Sequence, residues 1–189
     1  TPIAANHLRC ALDHIGTVTG RVYSEGFLKA LQQILHWQGD VDGNWSTPGN
    51  WLEGAAPLNS AELYFDTGTD GFSGNFSATN DISGLTVGHL RVTDNLTAGD
   101  FDLSGAGIAT TKGISIQGDS GFRMNLASLT LLASQQYEVA VAVQGTWNSP
   151  INLQTHELTW KGTSTIVAGT ITGSGSMTFA TGSFQLTAA

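Results

Sequence analysis

Thr146–Leu186, "TWNSPINLQTHELTWKGTSTIVAGTITGSGSMTFATGSFQL", is the stretch on which the fold turns. It repeats a small unit of apolar–x–apolar followed by glycine or asparagine. Alternation with a period of two, cut short by turn residues, marks brief half-buried strands. Many such strands in close succession, with small residues at their corners, suit a chain that coils and stacks strand upon strand.

The same texture extends back to residue 62, through "ELYFD", "GLTVGHLRVTD", "FDLSG", "GISIQG", "SLTLLA" and "YEVAVAVQG". Beyond Pro57 the only proline is Pro150, between two runs, so little interrupts strand pairing. The spacing is quasi-regular without a fixed period, and a β-sandwich also satisfies it. The corner texture favours the solenoid and leaves the sandwich as the alternative.

Composition narrows the function. In 189 residues there are 24 glycines, only 12% charged residues and a formal charge of −8. That length supports one substantial core. The acidic balance argues against nucleic acid or an anionic membrane as partner. A single cysteine, Cys10, excludes an internal disulfide framework. No run approaches the roughly 18 apolar residues of a membrane span, so no membrane insertion is expected. The histidines are scattered without metal-ligand spacing.

Residues 1–38 read differently. Leu8, Leu12 and Ile15 share one helical face, and "SEGFLKALQQILHW" places Phe27, Leu28, Leu31, Ile34 and Leu35 at i, i+1, i+4, i+7 and i+8. Ser24 is a suitable N-cap and Gly39 a suitable stop. The pattern predicts two short α-helices ahead of a β domain over 39–189. Short helices need something to pack on, so the face Phe27, Leu28, Leu31, Ile34 and Leu35 is expected to carry assembly between copies of the chain. Arg9, Arg21 and Lys29 against Asp13 and Glu25 give this segment +1, leaving −9 on the rest. The segment can therefore dock on a neighbour's acidic body.

Between the two regimes lies "GDVDGNWSTPGNWLEGAAP", Gly39–Pro57, with two Asn-Trp pairs among turn formers. Asp40, Asp42 and Asn44 alternate as oxygen ligands in a calcium loop do, but the twelfth position from Asp40 is Trp51 where an EF-hand needs an acid. That leaves a weaker calcium site as the only cofactor reading. Trp45 and Trp51 fit either a structural cap over the first β-rung or a platform that stacks on sugar rings. Asp100 and Asp102 fall on one side of a strand, an arrangement that acid–base chemistry can use, but the reading taken is a polar outer face on an ordinary strand, and no catalytic residue is assigned.

From Trp37 onward the chain resembles the autotransporter-passenger-like β-strand repeat proteins of bacterial surfaces. The likeness rests on Trp37, "GNW" at Gly43–Trp45, "NW" at Asn50–Trp51, Pro57, "AELYFD" at Ala61–Asp66, "INL" at Ile151–Leu153 and "ITGSGSMTF" at Ile171–Phe179, with Met177 where leucine is usual. The resemblance implies a right-handed parallel β-helix and an extracellular setting. The expectation is a non-enzymatic structural protein of a surface-exposed assembly, a bacterial layer or fibre or a virion appendage. It would bind copies of itself and other surface or virion proteins or glycans. A carbohydrate-binding adhesin using Trp45 and Trp51 is the runner-up, and a polysaccharide lyase or hydrolase the third reading.

Overall fold

Alternation of small apolar and polar residues builds a ladder of short parallel strands. The computed structural model describes residues 33–66, 77–94, 100–118, 121–167, 169–181 and 184–186. In chain order the strands are β1 (Ile34–His36), β2 (Ala61–Asp66), β3 (Ser77–Asn80), β4 (Leu85–Asp94) and β5 (Asp100–Gly105). Then come β6 (Ile108–Thr110), β7 (Gly113–Gly118), β8 (Gly121–Leu126), β9 (Leu129–Leu131) and β10 (Gln135–Trp147). The last five are β11 (Ile151–Asn152), β12 (Glu157–Val167), β13 (Ile171–Thr172), β14 (Ser176–Thr181) and β15 (Phe184–Leu186).

Among the described residues every strand-to-strand ladder is parallel, and the pairs define three faces. The first stacks β1, β2, the second half of β4, β7, the first half of β10, the first half of β12, and β14. The second stacks β3, β5, β8 and the ends of β10 and β12, followed by β15. The third stacks the start of β4, β6, β9, β11 and β13. The chain visits the third, first and second faces in turn, which is a β-helix. A sandwich would require antiparallel neighbours, so that alternative is set aside.

Side chains that alternate inward meet their counterparts on the rungs above and below. On the first face, Leu35, Leu63, Leu90, Ile114, Tyr137, Trp160 and Phe179 are successive register partners. The first six are buried; Phe179, on the last rung, is 45% exposed. Leu85, Ile108, Leu129, Ile151 and Ile171 form the equivalent column on the third face. Ala78, Leu103, Met124 and Trp147 do so on the second. Inside, Trp147 packs 4.9 Å from Trp160 and 5.5 Å from Tyr137 between ring centres. Burial pushes the Tyr137 phenol pKa upward; its hydroxyl has Thr110 Oγ1 at 3.2 Å. Corners demand tight turns: Gly113 has φ 112°, and a Cβ there would collide with the Gln136 carbonyl of the next rung.

The predicted second helix is corrected at its C-terminal end. Residues 34–36 are strand β1, paired in parallel with β2 through Ile34–Glu62, Leu35–Leu63 and His36–Tyr64. The first coil therefore begins ahead of residue 38, within the segment that reads as helical. The part of both predicted helices within residues 1–32 lies outside the described residues, and no α-helix occurs among the described ones.

Candidate functional site

The first coil encloses an aromatic plug. After β1 the chain turns through Gly39 and the short 3-10 turn Pro48–Asn50, and Trp51 returns to bridge Trp37 in antiparallel fashion. Trp37, Trp45 and Trp51 are 3%, 0% and 1% exposed. Trp51 meets Trp37 edge-on at 5.1 Å and Trp45 at 6.4 Å, and all three rings pack on Phe65 of the next rung. The Trp51 indole N–H donates to the Trp45 carbonyl at 2.8 Å. The indole nitrogens of Trp37 and Trp45 are buried without a partner, a polar cost accepted for the apolar area gained. With Trp45 and Trp51 this deeply buried, no indole face is open for a sugar to stack on.

The loop that resembles a calcium site closes around an amide. Asn50 is fully buried, and its Oδ1 accepts from the backbone N–H groups of Val41 and Asp42. Its Nδ2 donates to Asp42 Oδ1 at 2.7 Å and to the Asn44 carbonyl at 2.8 Å. Asp42 also accepts from the Asn44 N–H and the Thr47 hydroxyl. The Asn44 N–H, with help from the Asn50 amide, holds the Asp42 carboxyl below its ordinary pKa. A cation would have to displace these donors. Among the described residues no group of three metal-ligating side chains gathers in one place.

A second polar grouping lies on the outside of the first face, near the plug. Because strands alternate, residues flanking the inward column point out. Parallel register then lines up His36, Tyr64 and Arg91 across β1, β2 and β4, with Asp66 and Thr93 beside them. These residues and Phe65 line a groove of about 150 Å³. Glu53 braces one end, accepting from the His36 backbone N–H at 2.9 Å and lying 2.6 Å from His36 Nδ1. The His36 and Tyr64 rings lie 5.2 Å apart, inclined by 31°. The Tyr64 hydroxyl donates to Glu62, which also takes a 2.7 Å ion pair from Lys112. That ammonium holds the Glu62 carboxyl below its usual range, whereas burial pushes the His89 imidazole down.

The remaining sequence candidates scatter. Ile34 points outward at 47% exposure while Leu35 is in the core at 1%, as strand alternation requires, so the two do not share an assembly face. Phe27, Leu28 and Leu31 lie outside the described residues. Asp102 points outward and accepts from the Asn125 amide at 2.8 Å. The Asp100 side chain is outside the described set. Asp40 is exposed at the mouth of the Asn50 loop. The His36–Tyr64–Arg91 groove was not anticipated. Its only trace in the sequence is the 27-residue step shared by the pairs Leu63–Leu90, Tyr64–Arg91 and Phe65–Val92.

No protein-family model, curated protein or solved structure matches the chain.

Proposed function

We propose that the protein is a non-enzymatic structural module of a surface-exposed assembly, in which β-helical bodies associate end to end. One observation carries this reading. Among the described residues, large exposed apolar side chains concentrate at the two ends of the stack. Ile34, Val41, Leu52 and Leu58 belong to the first coil, and Phe179 to the last rung of the first face. Only Leu132 lies between them.

Large exposed apolar groups gathered at particular places favour partners over solvent. Two different ends that fit each other make a heterologous contact, which propagates into a fibre rather than closing into a dimer. The edge of β14 that faces away from β12 has no strand partner among the described residues, so it also offers backbone groups for a neighbour. The partner is a second copy. The resemblance of residues 37–189 to autotransporter-like surface repeats supports a cell-surface, extracellular or virion setting. Self-association now rests on the coil ends rather than on a helical face containing Ile34 and Leu35.

Negative-stain microscopy of the purified protein tests this reading. Linear particles of varying length, each a row of rods joined end to end, are expected. Single rods of uniform length at every concentration would refute it.

A further inference from the structure

Beyond its structural role, we propose that the groove at His36, Tyr64 and Arg91 binds an acidic sugar, one carboxylate-bearing residue of a linear glycan laid along the outside of the first face. Arg91 is exposed and makes no hydrogen bond or ion pair among the described residues, although the acids Glu53, Glu62 and Asp66 stand nearby. Glu53 is committed to His36, and Glu62 to Lys112 and Tyr64. The guanidinium is thus a cation that no carboxylate among the described residues has claimed. Its planar fork suits a ligand carboxylate held through two parallel hydrogen bonds.

The rest of the lining narrows the ligand further. His36 and Tyr64, with rings 5.2 Å apart, present a ring-lined wall. The bracing of both rings by glutamates fixes that wall in place. Thr93 and Asp66, one rung apart in register, add a hydroxyl and a carboxylate. Asp66 repels a second anionic group and accepts from hydroxyls. A polyanionic peptide or phosphate cluster therefore fits poorly, whereas a monoanionic ring carrying several hydroxyls fits every side of the groove. A volume of about 150 Å³ makes room for a single ring. Neighbouring rungs about 4.8 Å apart continue the outer face through Ser115 and Glu138, register successors of Arg91, past which the rest of a chain would run.

The test is isothermal titration of the full chain, at low salt, with an acidic tetramer made of three neutral sugars and one galacturonic acid residue. The comparison probes are the same tetramer with its carboxyl reduced to neutral sugar, and polyglutamate. Wild type is expected to prefer the acidic tetramer to both. Arg91→Ala should weaken that binding at least about tenfold, the scale for losing a hydrogen-bonded charge partner. Arg91→Lys, which keeps the charge but not the fork, should fall between. Asp66→Asn should narrow the gap between the tetramer and polyglutamate. Both positions face solvent at the groove, and circular dichroism checks that each variant stays folded. The proposal is overturned if wild type does not bind the tetramer, if Arg91→Ala binds it equally well, or if the neutral tetramer or polyglutamate binds as tightly.

Discussion

Replacing Trp51 by alanine removes the side chain on which the aromatic plug converges. Trp51 is 1% exposed and contacts Trp37, Trp45 and Phe65, so nothing nearby can collapse into the space without disturbing the next rung. Loss of a buried tryptophan costs about 3–5 kcal/mol in general. Each aromatic pair adds about 0.5–1.5 kcal/mol beyond its area, and three are lost here. The Trp45 carbonyl also loses its indole donor, a further penalty of about 1–3 kcal/mol if water cannot reach it. These terms overlap, and together they place Trp51→Ala near the upper end, at about 4–5 kcal/mol. Trp51→Phe keeps most of the area but not the N–H, and should cost about 1–3 kcal/mol. Urea unfolding followed by far-ultraviolet circular dichroism gives both values without relying on the deleted fluorophore. The plug is coupled to Phe65, and through it to Phe101 at 5.8 Å, so the midpoint should fall with little change in slope. A loss below about 0.5 kcal/mol, within the range of an ordinary surface substitution, would refute the cap. If the indoles were instead an open sugar platform, stability would hardly change.

Asn50→Ala should cost about 2–3 kcal/mol, because it leaves the backbone N–H groups of Val41 and Asp42 without their acceptor and takes one donor each from Asp42 and the Asn44 carbonyl; thermal unfolding that matches wild type would contradict this. Calcium at millimolar concentration should leave the melting temperature unchanged, since the Asn50 amide already fills the loop, and a rise of several degrees would restore a calcium site. Glu62 has a lowered pKa through Lys112, so its contribution is present above its ordinary value of 4.5 and is lost as pH falls through the lowered one. Lys112→Ala should therefore cost up to about 1 kcal/mol at neutral pH and nothing in strong acid, and a difference that persists in acid would contradict the pairing. In a Cys10→Ser background, cysteines at Ser115 and Glu138, register partners on β7 and β10, should oxidise to a disulfide because parallel neighbours lie about 4.8 Å apart; failure to form it would contradict the stacking.

The β body was legible because each strand obeys a period of two and glycine marks the corners. The sequence hid the coil length, because the coil shrinks along the stack. Leu63 pairs with Leu90, a step of 27 residues, whereas Leu158 pairs with Met177, a step of 19. No single repeat fits both ends. Ile34 and Leu35 read as helical because an apolar pair fits a helical face and a strand equally well. Pairing with Leu63 of β2 decides the matter, and local sequence carries no sign of it. Asn50 stands in the sequence only as part of an Asn-Trp pair, and nothing in its type announces that its amide takes the centre of the loop. The groove stayed hidden for the same reason as the pairing: His36, Tyr64 and Arg91 are neighbours only after stacking.

Sedimentation equilibrium on the full chain, run over a wide concentration range beside Phe179→Asp, tests end-to-end association most directly. Wild-type mass should rise continuously above the 19.8 kDa of one chain. Phe179→Asp puts a charge on the exposed end of the inward column and should stay at the mass of one chain while keeping its circular dichroism. A wild type that remains a monomer throughout, or a Phe179→Asp variant that associates as strongly, would contradict the account.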